Sequence, residues 1–159
     1  MNHGFFRRRF VNPVLALLRQ GVSPEKIALS IGLGVALGVF PALGWTTLLC
    51  AAAAVLLRLN LPAIQLVNYL MYPAQIALLL PFFRLGEKLF GAPHLPLSLP
   101  TVQALVKHNP WGAIGLLWTT TWHAIVVWMA IAPLAVMLIY YALLPTLCRA
   151  APSHPAGAP

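Results

Sequence analysis

The run IALSIGLGVALGVFPALGWTTLLCAAAAVLL, from Ile27 to Leu57, carries no charged residue and is interrupted once, at Phe40-Pro41-Ala42-Leu43-Gly44. As one helix it would extend roughly 45 Å at ~1.5 Å per residue, too long for a bilayer core of ~30 Å. A proline inside a helix loses a backbone hydrogen bond and clashes with the preceding turn, and Gly44 supplies a second breaker. The stretch therefore predicts two apolar half-helices joined at a tight corner, a helical hairpin suited to a membrane.

Composition agrees with that setting. The chain has 159 residues, 60% hydrophobic and only 8% charged. A soluble domain carries about 25% charged residues, so too little polar surface exists to face water on all sides. The charges are lopsided, with ten Lys and Arg against two acids, Glu25 and Glu87, and a net charge of +8. The apolar bulk argues against nucleic acid as the reason for that excess. The expected partner is a bilayer with anionic lipids, which attract basic segments flanking membrane spans. Cys50 and Cys148 stand alone in sequence and form no metal or redox motif.

Residues 1–20 form a basic lead-in. Arg7, Arg8, Arg9 and Arg19 bracket the apolar run from Pro13 to Leu18. A signal peptide is the competing reading, but its apolar part would be short and interrupted by Asn12 and Pro13. A short helix in the headgroup region, with the arginines on lipid phosphates, is the expectation, against a frayed basic tail.

Ser23-Pro24-Glu25 is a helix start: a capping residue, a proline in the first turn and an acid at the positive end of the dipole. In the helix that follows, Gly34 and Gly38 form a small-xxx-small face, continued back to Ser30. The expected partner is the next half-helix, whose Ala51–Ala54 run is equally small. That half-helix ends at Arg58-Leu59-Asn60-Leu61-Pro62, where Asn60 can cap the next helix. Arg58 suits snorkelling at an interface or, turned inward, holding a phosphate.

A second apolar stretch, Pro62–Phe83, is also broken, at Tyr72-Pro73, and carries Gln65, Asn68 and Gln75. Asn68 and Gln75 lie about two turns apart and can share a face. Amides buried in lipid are costly unless paired, so they either bond across helices or line a polar cavity. Paired broken segments also point to transport-type sites between half-helices.

The ordered set Gly38-Val39-Phe40-Pro41-Ala42-Leu43-Gly44, Leu57-Arg58-Leu59-Asn60-Leu61-Pro62, Asn68, Pro73 and Arg84-Leu85-Gly86 resembles the bacterial family catalogued as domain of unknown function 2062. Pro24 and Ala28-Leu29-Ser30 fit as well, and the resemblance covers roughly Gly21 to Gly91. It implies a small integral protein of the bacterial inner membrane, in a family where some members carry this domain beside a glycosyltransferase. It supplies no established activity. The family often has Gln where Trp45 stands and Asn where Tyr72 stands, so a polar role for those positions is not carried over.

Beyond Arg84 the chain turns polar, with the connector 92–110 proline-rich up to Pro100 and a short amphipathic helix expected at Thr101–His108. The uncharged run Trp111–Leu147 would be roughly 55 Å as one helix. Gly112, Gly115, Pro133 and Pro145 offer breaks. The expectation is a short hairpin, or one span from about Ile125 to Leu144 after an interfacial segment. His123 is its ionisable residue, a functional hypothesis in a membrane segment, against a neutral ring bonded to a nearby carbonyl. The Pro/Ala/Gly-rich tail, 149–159, is expected to be disordered.

The predicted fold class is thus an all-α integral membrane protein: short broken transmembrane or re-entrant helical hairpins plus interfacial amphipathic helices. The membrane domain is 21–91, the C-terminal segment 111–148, and roughly three to six passes are open. If each broken segment returns to its own side, every basic loop is cytoplasmic. If Pro62–Phe83 and the last run each span once, Arg84, Lys88 and Lys107 lie outside. Both put the N-terminus in the cytoplasm.

Catalysis finds little support. Both acids are expected near helix ends at polar loops, and the five histidines lack ligand spacing. No metal or cofactor is expected. The polar candidates for a ligand are Arg58, Asn60, Gln65, Asn68, Gln75 and His123. The corner and packing set is Gly34, Gly38, Phe40, Pro41, Gly44 and Pro73. Two functions fit: a carrier or accessory for lipid-linked or envelope precursors, or a non-catalytic adaptor for a partner such as a glycosyltransferase. A homo-oligomer is an alternative partnership.

Overall fold

A computed structural model describes residues 23–92 and 107–150, and all regular structure among them is helical. The N-terminal interfacial segment with Arg7, Arg8, Arg9 and Arg19, most of the connector and the tail lie outside the described residues.

Helix α1 (Pro24–Gly38) begins with Pro24 in its first turn, where the missing N–H costs nothing. Ser23 occupies the cap position, but its side chain makes no capping bond. Ser30 is fully buried and returns its hydroxyl to the Lys26 carbonyl at 2.6 Å. The chain turns through Val39–Trp45, with Pro41 buried and Gly44 at φ +88°, a left-handed conformation that glycine adopts freely. Helix α2 (Thr46–Leu56) runs back antiparallel, as the corner motif predicts.

Helix α3 (Leu61–Leu70) follows, capped by Asn60, whose Oδ1 accepts the Ala63 N–H at 2.9 Å. At Met71 the axis bends by 62° into α4 (Tyr72–Phe90). Pro73 sits in the first turn of α4, so it starts that helix. A 62° bend is far from a reversal, so the second broken unit is not a hairpin. Nor does it end at Phe83: α4 continues to Phe90, supported by an Arg84–Glu87 pair at 2.9 Å, and stops at Gly91 with φ +60°. Helix α5 (Pro110–Ala150) is then one helix of 41 residues, in place of the expected hairpin or short span. Gly112, Gly115, Pro133 and Pro145 do not break it. Each proline removes one backbone bond, and the flanking turns are held by packing on other helices.

The pairwise contacts fix the arrangement. Helix α1 lies antiparallel to the C-terminal half of α5: Ile27 and Ala28 cluster with Leu147, Gly32 abuts Val136, and the Ala36 carbonyl meets Trp128. Helix α4 lies antiparallel to the N-terminal half, with Phe82 on Ala124 and Val127 and Gly86 on His123. On α5, buried Ala113, Thr120, Ala124 and Val127 recur at helical spacing, and Ala124 and Val127 meet Phe82 of α4. Helix α1 therefore packs on the C-terminal half of α5 and α4 on its N-terminal half.

The small-residue face packs differently from expectation. A Cβ on Gly34 would lie 2.8 Å from Val67 Cβ and 2.9 Å from the Ile64 carbonyl oxygen, and one on Gly38 would lie 2.8 Å from Met71 Cβ. The close partner is thus α3, parallel to α1, rather than the alanine-rich α2. Helix α2 instead lays Cys50 and Ala54 over Ile64. Small residues announce a close approach without saying to whom, and the branched Val67 fills the groove better than alanine does.

Gly34→Ala is expected to lower stability by roughly 1–3 kcal/mol, because the added methyl meets backbone as well as side chain. Gly115→Ala, where a Cβ meets nothing within 4 Å, should be neutral or slightly stabilising. Thermal unfolding of the purified variants in detergent, followed by tryptophan fluorescence, compares the two.

Candidate functional site: the hairpin corner and its polar ties

A helix end leaves carbonyls without intrahelical partners, and a buried one must find them elsewhere. At the end of α1 the Phe40 N–H turns to the Leu37 carbonyl, at 3.1 Å. The Ala36 carbonyl is taken by the Trp128 indole N–H at 2.8 Å, across 92 residues of sequence. The Phe40 carbonyl, just ahead of Pro41, accepts from Gln75 Nε2 at 2.8 Å. The Phe40 ring stands edge-on to Trp128, with centroids 5.0 Å apart. Corner, α4 and α5 are thereby tied at one point.

A second set of ties fixes α3 to the start of α2. Gln65 Nε2 donates to the Thr47 carbonyl at 2.9 Å. Asn68, 3% exposed, donates to Gln65 Oε1 at 3.2 Å and lies 3.4 Å from Thr47 Oγ1. Gln75 is 2% exposed. The bend at Met71 separates Asn68 from Gln75, so they reach the hairpin at different points. Of the polar candidates, Gln65, Asn68 and Gln75 thus bond across helices.

Arg58 is elsewhere. It lies exposed in the α2–α3 turn at φ +52°, with its N–H on the Val55 carbonyl and the Leu59 N–H on the Ala54 carbonyl. That is the left-handed helix stop where glycine is usual. His123 is apart again: its ring stacks on Phe90 at 4.2 Å and 10°, and its buried Nδ1 has no hydrogen-bond partner among the described residues, so the expected bond to a nearby carbonyl is not made through that nitrogen.

Three residues carry weight that the sequence reading missed. Trp128 was one apolar residue among many, although a buried indole N–H needs an acceptor. Thr47 follows Gly44 by one turn. Glu87 is 1% exposed in the α4–α5 region and pairs with Arg84, so it is not at a polar loop as expected. Its signal was an acid three residues after an arginine at the end of an apolar run.

An apolar groove of about 190 Å³ opens beside the corner, between Phe40, Trp45 and Leu49 on one side and Trp118, Trp122 and Ile125 of α5 on the other. A shallower one of about 480 Å³ lies between α1 and the C-terminal half of α5, along Leu33, Leu37, Ala132 and Val136.

Among the described residues, one helix is long and apolar enough to cross a membrane, and a second span is added if the bent α3–α4 pair is one. Residues 7–153 match the family described as an uncharacterized protein conserved in bacteria (DUF2062), and the chain belongs to that family. The match extends well beyond the Gly21–Gly91 region that carries the motif resemblance. No curated protein and no solved structure matches the chain.

Gln75→Leu keeps bulk but leaves the Phe40 carbonyl without its donor, and should cost about 1–3 kcal/mol. Arg58→Gly should leave the fold intact and raise stability by up to about 1 kcal/mol, the left-handed cost of ~1–2 kcal/mol less glycine's added freedom in the unfolded chain. Chemical-denaturant midpoints of the two variants test the opposite signs.

Proposed function

We propose that this chain is a multi-pass protein of the bacterial inner membrane that acts as a non-catalytic scaffold, recruiting or stabilising a partner enzyme. The membrane reading rests on α5: an apolar window of it is only 17% buried within the chain, which is unlike the core helix of a soluble protein. The levels of charge support it. Lys26 precedes Ile27, which packs at Leu147, while Arg84 lies between Phe82 and Gly86, which pack at Ala124 and His123. Those levels are about 35 Å apart along α5 at ~1.5 Å per residue, close to a bilayer core.

In this reading α1–α2 is a re-entrant hairpin, and α3–α4 and α5 are spans. Lys26, Arg58 and Arg149 share one side with the basic N-terminal segment, and Arg84, Lys88 and Lys107 share the other. Seven of ten basic residues then fall on the N-terminal side, which makes it cytoplasmic.

The scaffold reading is carried by the amides. Gln65 and Asn68 hold α3 to Thr47 of the hairpin and Gln75 holds α4 to the Phe40 carbonyl, which fits a structural use of polarity better than a transport site. The exposed apolar surface, such as Trp111 at 82% and Leu138 at 74%, is what a membrane partner could pack on. A membrane-associated glycosyltransferase is the partner suggested by the family resemblance. The corner groove favours a second reading, a carrier or accessory for lipid-linked precursors. Accelerated flip of labelled polyprenyl-phosphate lipids in proteoliposomes would support that reading over the scaffold.

Two experiments test the proposal. Cys148 is exposed and Cys50 is buried. An impermeant maleimide should therefore label Cys148 from one face of inner-membrane vesicles, and a cysteine from Lys107→Cys, in a Cys148→Ser background, from the other. Labelling of both from the same face would exclude the spanning pair. A pull-down of the full chain from native membranes should return a stoichiometric partner, and none would overturn the scaffold.

A further inference from the structure

Among the described residues one ion pair forms, Arg84 with Glu87. Lys26, Arg58 and Arg149 are exposed, and their side chains make no ion pair or hydrogen bond among those residues. The fold brings these three cations to one end of the bundle from three separate elements. Ile27 packs on Leu147, so Lys26 at the start of α1 and Arg149 at the end of α5 share a level. Helix α3 keeps a fixed register on α1: Gly34 lies against Ile64 and Val67, and Gly38, one turn on, lies against Asn68 and Met71. Carried back to the start of α3, the same register sets the turn with Arg58 at the level of Lys26.

The acid at this end among the described residues is Glu25, exposed in the first turn of α1. Three cations against that one acid leave an excess of two positive charges. Ser23 gives α1 no side-chain capping bond, so the orphan N–H groups of its first turn add partial positive charge. Arg58 has no backbone reason to be arginine. Its φ of +52° is a conformation that glycine adopts at lower cost, and its side chain is not buried. What arginine adds over glycine there is a guanidinium, a planar set of donors matched to phosphate oxygens. In the membrane reading above, on which this inference rests, the level of Lys26 is a headgroup level, where lipid phosphates lie.

We propose that Lys26, Arg58 and Arg149 form a surface that holds the headgroups of anionic glycerophospholipids, with Arg58 as its principal phosphate donor. A zwitterionic headgroup brings its own ammonium among these cations, and the repulsion offsets part of the attraction to its phosphate. The surface therefore selects lipids of net negative charge, such as phosphatidylglycerol. It also gives the left-handed arginine a use that outweighs its backbone cost.

The test uses the full chain in nanodiscs of equimolar phosphatidylglycerol and phosphatidylcholine, with the lipids retained on the released protein counted by native mass spectrometry. Phosphatidylglycerol should be retained in preference. Arg58→Gly should lower that preference about five-fold, the factor equivalent to ~1 kcal/mol for one cation at an anionic surface, and Arg58→Lys should keep most of it. Arg58→Gly is expected to hold its fold at least as well as the parent, so lost preference in it is not lost folding. Two charge-matched double variants locate the effect. Lys26→Gln with Arg149→Gln should lower the preference several-fold more than Lys88→Gln with Lys107→Gln, at the other end. Equal retention of the two lipids, or a preference that Arg58→Gly leaves intact, overturns the surface. Equal loss in the two double variants also overturns it, as a general effect of charge. Inorganic phosphate at constant ionic strength should not displace the lipid, and displacement would mark a free-anion site instead. A chain that carbonate strips from membranes and that does not enter discs overturns the membrane reading itself, a separate outcome from incorporation without a lipid preference.

Discussion

A helix that ends inside an apolar environment must give its last carbonyls to something. In α1 this requirement falls on Ala36 and Phe40, next to a proline that offers no N–H. The Trp128 indole and the Gln75 amide meet it, each at 2.8 Å. The two donors come from α5 and α4, so one local need draws the two long helices onto the corner. The edge-on contact of Phe40 with Trp128 adds packing at the same point. Other features of the fold gather around that corner: the bend at Met71 beside Gly38, and the apolar groove between Trp45 and the Trp118–Trp122 side of α5.

Close approach is the second constraint. Gly34 and Gly38 let α3 lie against α1 at distances where a methyl group would collide with backbone, and Gly86 does the same for α4 against His123 on α5. Packing of this kind needs no water to drive it, since its gain is dispersion between well-matched surfaces. It is compatible with a chain that leaves much of its apolar surface outward. The polar side chains reinforce the same joints, and a buried amide bonded across helices makes those joints specific. Polarity used for assembly weakens the case for Gln65, Asn68 and Gln75 as ligands of a cargo, and moves attention to the apolar tip.

Much of the first half was legible in the residues. Pro41 and Gly44 announced the corner, Asn60 and Pro62 the start of α3, and the motif from Gly38 to Gly86 the family. The second half was harder to read. Pro133 and Pro145 are breakers by local rules, yet α5 runs through them because α1 grips the turns around both. Arg84-Leu85-Gly86-Glu87 looked like a polar exit from a span. It continues α4 because Glu87 is buried with Arg84 beside it. Arg58 drew attention as a lone cation, and its place in a left-handed turn gives it a backbone role that composition does not reveal.

By itself the sequence determined the apolar, all-helical character, the position of the sharp corner and the family, because these depend on local backbone chemistry and on composition. Only the tertiary structure decided which helix accepts the glycine face, which carbonyls the amides and Trp128 satisfy, and that α5 is continuous. Those outcomes are choices among partners far apart in the chain. Small residues and amides state that a close or bonded contact is needed, and the packing of the whole determines which group supplies it.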